Sequence, residues 1–287
     1  MQGWLVVNGF LESKKFDELY AFLGRAATAE GIELYRKRST ELFALSLSEL
    51  ADGPRPDFVL FWDKDYALAK DLEGAGLRLF NNAEGMRLCD DKSLTHLALQ
   101  GKVRMPRTLI APKTFDGVGY TDRMFLSLAA ETLRFPMVVK ECFGSFGQQV
   151  YLARSLAELN TLVDGMGGKP FLMQEYIASS VGRDVRINVV GGKVVSAMLR
   201  ENPNDFRSNV TGGGHGRSYT PTAAQAELAI AACRHLGLDF AGVDVLFGDK
   251  DEPILCEVNS NPHFKSTFDC TGKDMSVSIL RHVKESL

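Results

Sequence analysis

Two apolar strands near the end of the chain carry acids among their apolar side chains, and this constrains the sequence more than any other feature. In Gly242-Val243-Asp244-Val245-Leu246-Phe247, Val243, Val245 and Phe247 fall on one strand face and Asp244 on the other. In Leu255-Cys256-Glu257-Val258-Asn259, Glu257 and Asn259 share a face, and Cys256 and Val258 take the opposite one. Asp244 and Glu257 are about equally far from the middle of the polar loop between them, so a plain hairpin sets them side by side. Two carboxylates in apolar surroundings repel unless positive charge lies between them. With the amide of Asn259 they make an oxygen-bearing set suited to a hard cation, Mg²⁺ or Mn²⁺. The bland alternative is an acidic, solvent-facing stripe on an edge hairpin. The apolar residues packed around these acids in the sequence weigh against it.

Other segments point the same way but more weakly. Lys140 ends the apolar run Pro136-Met137-Val138-Val139 and precedes Gly144-Ser145-Phe146-Gly147. Glycines let backbone N–H groups approach phosphate oxygens, and a lysine at a strand end adds charge. A short Gly-x-x-Gly segment is equally at home as a plain turn. It is not a Walker A loop, because no Gly-Lys-Ser/Thr follows, and it lacks the strand–GxGxxG–helix setting of a dinucleotide fold. Gln174-Glu175-Tyr176-Ile177 ends a strand and could offer main-chain groups to a flat heterocycle, or be an ordinary strand terminus. Arg186, Arg200 and Arg207 lie on or just after the next hairpin, and arginine suits bidentate recognition of phosphate or carboxylate. Each of them alone is more often a surface residue.

Hydrophobic periodicity predicts alternating strands and helices over the first 90 residues: strands at 4–8, 58–62 and 77–80, helices at 16–29 and 65–73. That is the signature of a small parallel α/β layer. Arg36-Lys37-Arg38 reads as a solvated helix end or loop. Helices follow at 90–100 and 122–133, with strands at 108–111, 136–141 and 150–152. Ser155 with Glu158 makes a capping box for a further helix. From residue 170 strands dominate: 171–176, then 184–190 and 193–199 about the turn Gly191-Gly192, then 241–247 and 254–259. Helices are expected at 222–236 and 273–285. The domain reading is an N-terminal α/β unit at 1–89 and a larger unit at 90–287, divided into 90–170 and 171–287.

Composition excludes some classes. A chain of 287 residues, 45% hydrophobic and 24% charged, is long enough for a sizeable core. A formal net charge of −3 argues against a general nucleic-acid or membrane-surface binder. No run reaches the ~20 apolar residues of a membrane span, and residues 1–10 lack the basic region and long apolar core of a signal peptide. The five cysteines include no C-x-x-C pair, so a disulfide framework and a zinc site are poorly supported. Cys142 and Cys256 sit in apolar runs and read as buried small hydrophobes. A reducing, cytoplasmic setting is the resulting expectation.

In chain order stand Asp91-Lys92-Ser93-Leu94-Thr95, Met105-Pro106-Arg107-Thr108, Pro136-Met137-Val138-Val139-Lys140, Gly144-Ser145-Phe146-Gly147 and Gln174-Glu175-Tyr176-Ile177. After them come Gly182-Arg183-Asp184-Val185-Arg186, Asp205-Phe206-Arg207-Ser208-Asn209, Ala241-Gly242-Val243-Asp244 and Glu257-Val258-Asn259-Ser260-Asn261-Pro262. This ordered set resembles the RimK-type branch of the ATP-grasp superfamily, the amino-acid ligases that include ribosomal-protein glutamate ligase and LysX-like enzymes. The resemblance runs from about residue 81 to the end. The first 80 or so residues match only as a small α/β pre-domain.

The resemblance implies an α/β (α+β) ATP-grasp fold in which two subdomains clamp ATP, with a small parallel pre-domain ahead of them. It implies that Lys92 and Lys140 hold the α- and β-phosphates and that the loop with Gly144, Ser145 and Gly147 closes over them. Glu175, Tyr176 and Ile177 would meet adenine, and Asp184 the ribose hydroxyls. Arg207 and Asn209 match γ-phosphate and substrate contacts, with Arg186 and Arg200 as supports; Arg200 and Arg207 are the catalytic candidates. Asp244, Glu257 and Asn259 match the positions that bind two Mg²⁺ or Mn²⁺ ions, with Glu257 bridging. Ribosomal-protein glutamate ligase has a further glycine in its phosphate loop where this chain carries Gln148-Gln149, so a stiffer or differently folded loop is expected.

The implied activity is ADP-forming ligation of a carboxylate to an amine through an acyl phosphate. The partners would be small-molecule or peptide substrates, with no nucleic acid and no membrane, and the oligomeric state is open. The rivals are a kinase on the same fold and a non-catalytic ATP-binding module. Gly212-Gly213-Gly214 reads as a mobile flap or as a passive linker, and the phosphate-ligand candidates around it favour the flap. His215, His263 and Lys265 are candidates for a substrate carboxylate, each no better than a polar loop residue. Asp63 and Lys64, after the strand ending at Trp62, are candidates for choosing the acceptor. No general base is identified.

Overall fold

A computed structural model describes residues 1–44, 55–115, 117–145, 147–209 and 213–287. Among these, three sheets organise the chain. The first, in the order β2-β1-β3-β4, is parallel throughout: β1 is Gln2–Val7, β2 Glu33–Arg38, β3 Phe58–Trp62 and β4 Leu79–Phe80. Every residue of β3 is buried, as expected of a parallel strand covered on both faces. The helix Lys14–Ala29 turns Leu19, Tyr20, Leu23, Ala26 and Ala27 to the core, an apolar stripe at helical spacing.

β2 corrects the reading of Arg36-Lys37-Arg38. These residues form an edge strand in register with β1, Leu5 opposite Arg36 and Val7 opposite Arg38. An edge strand keeps little apolar pattern, and its charges guard against pairing with another chain. The neighbour relations of this sheet matter for function. From β1 the chain moves to β2 on one side, then crosses to β3 on the other, so the carboxyl ends of β1 and β3 border a switch point, where open α/β sheets bind ligands.

The second sheet, β5-β8-β6-β7, is antiparallel: β5 Thr108–Ile110, β6 Met137–Glu141, β7 Val150–Ala153 and β8 Phe171–Glu175. Leu126 and Leu133 of the helix Met124–Leu133 and Leu159 of the helix Leu156–Met166 pack with Val139 and Phe171 in one core. The third sheet, β11-β10-β9-β12-β13, contains β9 Arg183–Val190, β10 Lys193–Glu201, β11 His215–Ser218, β12 Phe240–Phe247 and β13 Pro253–Asn259. Its helix Ala223–Leu236 starts in a Thr222/Gln225 capping box and stops at Gly237, whose φ of 67° needs no Cβ penalty. β11 has no apolar residue and is wholly exposed, so it carries no strand signal in the sequence. The region expected as one helix at 90–100 is a pair, Ala83–Asp90 and Lys92–Leu99. They break at Asp91, whose carboxylate caps Ser93 N–H at 2.8 Å.

The first and third sheets share a core. Leu19 and Leu23 pack with Val190, Phe240, Phe264 and the Ile279, Leu280 and Val283 face of the C-terminal helix Met275–Ser286. Trp62, the last residue of β3, stacks on Phe240 with centroids 5.3 Å apart and planes 13° apart, a geometry worth about 0.5–1.5 kcal/mol beyond area burial. Asn81 pins the same junction. Its amide donates to Phe240 O at 2.9 Å and Ser260 O at 2.8 Å, and its carbonyl accepts from Asp239 N at 2.7 Å and Phe240 N at 3.1 Å. Asn81→Leu would strand these backbone groups in the interior. A loss of about 2–4 kcal/mol in urea unfolding is the expected result, and a loss below about 1 kcal/mol would show that the pin is dispensable.

Candidate active site

The hairpin of β12 and β13 sets Asp244 directly opposite Glu257 and Gly242 opposite Asn259, the register expected from the sequence. A bulge between Asp244 and Val245 follows at once. What the sequence did not disclose is how Asp244 is neutralised. Arg186 on β9 faces it across the sheet, and Arg200 on β10 faces Asp184 on β9. Asp244 Oδ1 accepts from Arg186 Nε and, at 3.0 Å, from Arg200 Nη2; its Oδ2 accepts from Arg186 Nη2 at 2.8 Å. Arg200 also grips both oxygens of Asp184, at 2.7 and 2.5 Å. Two acids and two arginines thus alternate across three neighbouring strands, with Asp184, Arg200 and Asp244 all buried. Burial alone would push the Asp244 carboxyl up, but Arg186 and Arg200 outweigh it and hold it below the usual range. Burial likewise works against the charge on Arg200, and Asp184 and Asp244 reverse that effect.

Glu257 is placed differently. Its side chain is one-third exposed, and Lys92 Nζ stands 3.9 Å from its Oε1. Among the described residues no hydrogen bond is taken up by its carboxylate. A carboxylate offers about four lone-pair sites. Asp244 Oδ2 uses one of its two, and Asn259 spends its Nδ2 on Gly242 O at 3.4 Å, leaving its Oδ1. The free oxygens of Asp244, Glu257 and Asn259 therefore fit a hard divalent cation, with the two arginines already offsetting part of the acid charge.

The phosphate-loop candidates are latched. Arg207, paired with Asp205, donates from Nη1 to Gly147 O at 2.8 Å and Val150 O at 3.3 Å. Lys92 Nζ donates to Gly144 O at 3.2 Å. Gly147 has φ 74°, and a Cβ there would come within 2.7 Å of Asn209 Oδ1. Gln149, in the segment where a difference from the family was noted, accepts from Ser145 N at 3.2 Å and so ties the loop across its own base. Phe146 lies outside the described residues, as does Gly212 of the expected flap.

The candidate residues line two adjoining cavities. A narrow one of about 110 Å³ is bordered by Lys92, Lys140, Gly147, the strand end Glu175-Tyr176-Ile177, Asp184, Arg207 and Asp244. A larger one of about 470 Å³ is bordered by Gly144, Ser145, Arg186 and Asn259, and by residues of the N-terminal layer. Arg200, Asn209 and Glu257 belong to both walls. Of the catalytic candidates, Arg200 is therefore at this junction, while Arg207 borders the narrow cavity and not the larger one.

Three further expectations resolve. His263 lines the larger cavity, where its Nε2 lies 3.2 Å from Lys15 O. Lys265 is paired with Asp269, and His215 sits on exposed β11; neither borders the cavities described. Burial holds the His263 imidazole below its ordinary value of 6.5, so it stands neutral at pH 7. The unfolded chain takes up that proton first, so its contribution to stability is present above about pH 6.5 and lost below it. The unfolding midpoint should fall on acidification from pH 7 to 5, and fall less in His263→Gln. An identical pH profile in the variant would contradict this.

Residues missed by sequence reasoning come from the N-terminal layer: Asn8 after β1, Lys15, Trp62 and, from the C-terminal part, Asn261. Only a polar residue directly after an apolar strand hinted at them. Cys142 is buried as expected, but Cys256 is half-buried, borders the narrow cavity and stands 3.8 Å from Lys140 Nζ. Burial pushes its thiol up to about 11 against the pull of that lysine, so it is no thiolate nucleophile at neutral pH.

A family model for the RimK-like ATP-grasp domain matches residues 89–283. The chain is 33% identical over 229 residues to the MG012 homologue of Mycoplasma pneumoniae, covering 78% of this chain and 79% of that one. It is 36% identical over 206 residues to human beta-citrylglutamate synthase B, covering 70% of this chain but only 52% of that protein's length. A crystal structure of a RimK domain ATP-grasp protein from Sphaerobacter thermophilus superposes with a TM-score of 0.73 at 20% identity, covering 98% of this chain and 99% of that one. The chain has the ATP-grasp fold, and it belongs to the RimK-like ATP-grasp family.

Proposed function

We propose that this protein is an ATP-dependent ligase that joins a carboxylate to an amine through an acyl phosphate. The observation that carries this reading is the junction of the two cavities at Arg200, Asn209 and Glu257. A nucleotide in the narrow cavity would present its terminal phosphate there, and a carboxylate in the larger cavity would meet it. Adenine would lie against Glu175, Tyr176 and Ile177, and Lys92 and Lys140 would neutralise the inner phosphates. Arg207 holds Gly147 O and Val150 O at the wall of the narrow cavity, and a nucleotide phosphate bound there would compete for that guanidinium. Asp184, committed to Arg200, would act by positioning that arginine rather than by a free carboxylate.

A carboxylate oxygen would attack the γ-phosphorus, and the bond from that phosphorus to the β-phosphate oxygen would break, releasing ADP. The amine nitrogen would then attack the acyl carbon, the carbon–oxygen bond to phosphate would break, and inorganic phosphate would leave as the nitrogen gives up its proton. Arg200 and Arg207 would spread the charge on the transferring group, and positioning would supply most of the rate. Asp244, Glu257 and Asn259 would hold two Mg²⁺ or Mn²⁺ ions, which supply charge neutralisation at the phosphates.

The test is to supply amino acids in pairs with ATP and measure ADP, free phosphate and product mass together. Glutamate comes first, in view of the human relative's name. Equal ADP and phosphate with a condensed product is expected; a phosphorylated product without free phosphate would replace the ligase reading by a kinase. Lys140→Ala should raise the KM for ATP at least about tenfold, since loss of one charge-assisted contact to a phosphate costs about 1.5–3 kcal/mol. An unchanged KM would remove Lys140 from the phosphate site.

A further inference from the structure

The inner wall of the larger cavity carries a carboxylate with half of its bonding unused. Asp63 follows β3 directly, at the switch point of the parallel sheet, and is 6% exposed. Its Oδ1 is taken by Asn8 Nδ2 at 3.1 Å and Lys64 N at 2.7 Å. Its Oδ2 is buried and has no hydrogen-bond partner among the described residues. Asn261 shows the same pattern: its Nδ2 donates to Asp63 O at 2.8 Å, while its Oδ1 is buried and unpartnered. Asn8, Asp63 and Asn261 all border the cavity that also holds Glu257. Lys64, the neighbour in sequence, also borders this cavity but is held in an ion pair with Asp90 at 2.5 Å.

A buried carboxylate oxygen without a donor costs free energy that a native fold seldom carries without use. The two unused atoms here are both acceptors and one carries negative charge. Their complement is a group with several N–H donors and a positive charge. Asp63 lies at the carboxyl end of β3, where such sheets bind ligands, Asn261 reaches it from beyond β13, and both residues border the larger cavity.

We propose that Asp63, supported by Asn261, is the seat for a primary ammonium group of the substrate, and that the enzyme selects amino compounds over their N-acylated counterparts through it. This deepens the ligase reading and rests on it for the word substrate, but the binding itself does not require turnover. Asp63 acts here as a specificity residue, with no proton transfer assigned to it.

The experiment is a calorimetric titration of wild type and Asp63→Asn, each saturated with magnesium and a nonhydrolysable ATP analogue, using the free amino acids and their N-acetyl derivatives as probes. Asp63→Asn keeps the oxygen that Asn8 and Lys64 contact, and unchanged thermal unfolding will show that the fold is intact. At least one free amino acid should bind wild type ten or more times tighter than its N-acetyl form, and Asp63→Asn should lose that preference while binding the nucleotide within twofold of wild type. Equal binding of free and acetylated forms by wild type, retention of the preference in Asp63→Asn, or failure of every amino acid to bind would overturn the proposal. Binding with that preference but without ADP and phosphate release in the paired assay would uphold the seat and sink the ligase reading instead.

Discussion

Glu257→Ala is expected to reduce ATP turnover by about 10²–10³-fold or more while leaving the protein folded. The two halves of this expectation have separate physical grounds. The side chain is one-third exposed and its nearest cation is Lys92 at 3.9 Å, so little of the fold depends on it. Replacing such a group costs at most about 0.5 kcal/mol. On the proposed reading, however, Glu257 stands where the nucleotide and substrate cavities meet and would hold the ions that offset the phosphate charge. Loss of one preorganised electrostatic element in an active site costs about 2.7–4 kcal/mol of barrier. Steady-state ADP release and a melting curve on the same preparation check both halves. Near-wild-type turnover would remove Glu257 from the metal site, and a collapsed melting curve would mean that its role is structural.

Asp244→Ala should, unlike Glu257→Ala, cost the fold much of its stability in addition to its effect on turnover. Asp244 faces Glu257 across the hairpin, yet its carboxylate is buried and accepts from both Arg186 and Arg200. Its removal leaves Arg200, itself buried, with Asp184 alone and takes from Arg186 the acid it pairs with. Breaking a buried ion pair from one side costs about 3–5 kcal/mol, because the surviving charge has lost its partner and cannot return to water. A fall of that size in urea unfolding free energy is expected, large against the 5–15 kcal/mol of a typical domain. Asp244→Asn should cost less, since it retains an acceptor. A loss below about 1 kcal/mol for Asp244→Ala would show that the arginines find water or other partners. The contrast between the two variants separates the roles of two acids that look equivalent in the sequence.

The strands most legible beforehand were those with strong apolar patterns. Phe58–Trp62 was expected with its observed bounds, and the Asp244–Glu257 register followed from counting back from the loop. β2 and β11 were missed because neither has an apolar face: one is Glu33–Arg38 at a sheet edge, the other His215–Ser218, exposed throughout. Asp91 was placed inside a helix, whereas its carboxylate caps a new one, since capping residues and helix-interior acids differ only in backbone geometry. Cys256 was expected in the core because its neighbours are apolar. The structure leaves it half-buried beside Lys140, because the register shift next to Asp244 skips Cys256, leaving it without a partner on β12 between Leu255 opposite Val245 and Glu257 opposite Asp244.

What the sequence determined by itself was local and periodic: which segments are strands, which strand carries Asp244, which carries Glu257, and in what order the motifs of the family occur. Tertiary structure alone decided that Arg186, Arg200 and Asp184 enclose Asp244, and that Asn261 reaches back across 198 positions of chain to Asp63. The physical reason is that alternation along a strand specifies a face, while the partners on that face come from strand order and packing, which sequence spacing does not encode.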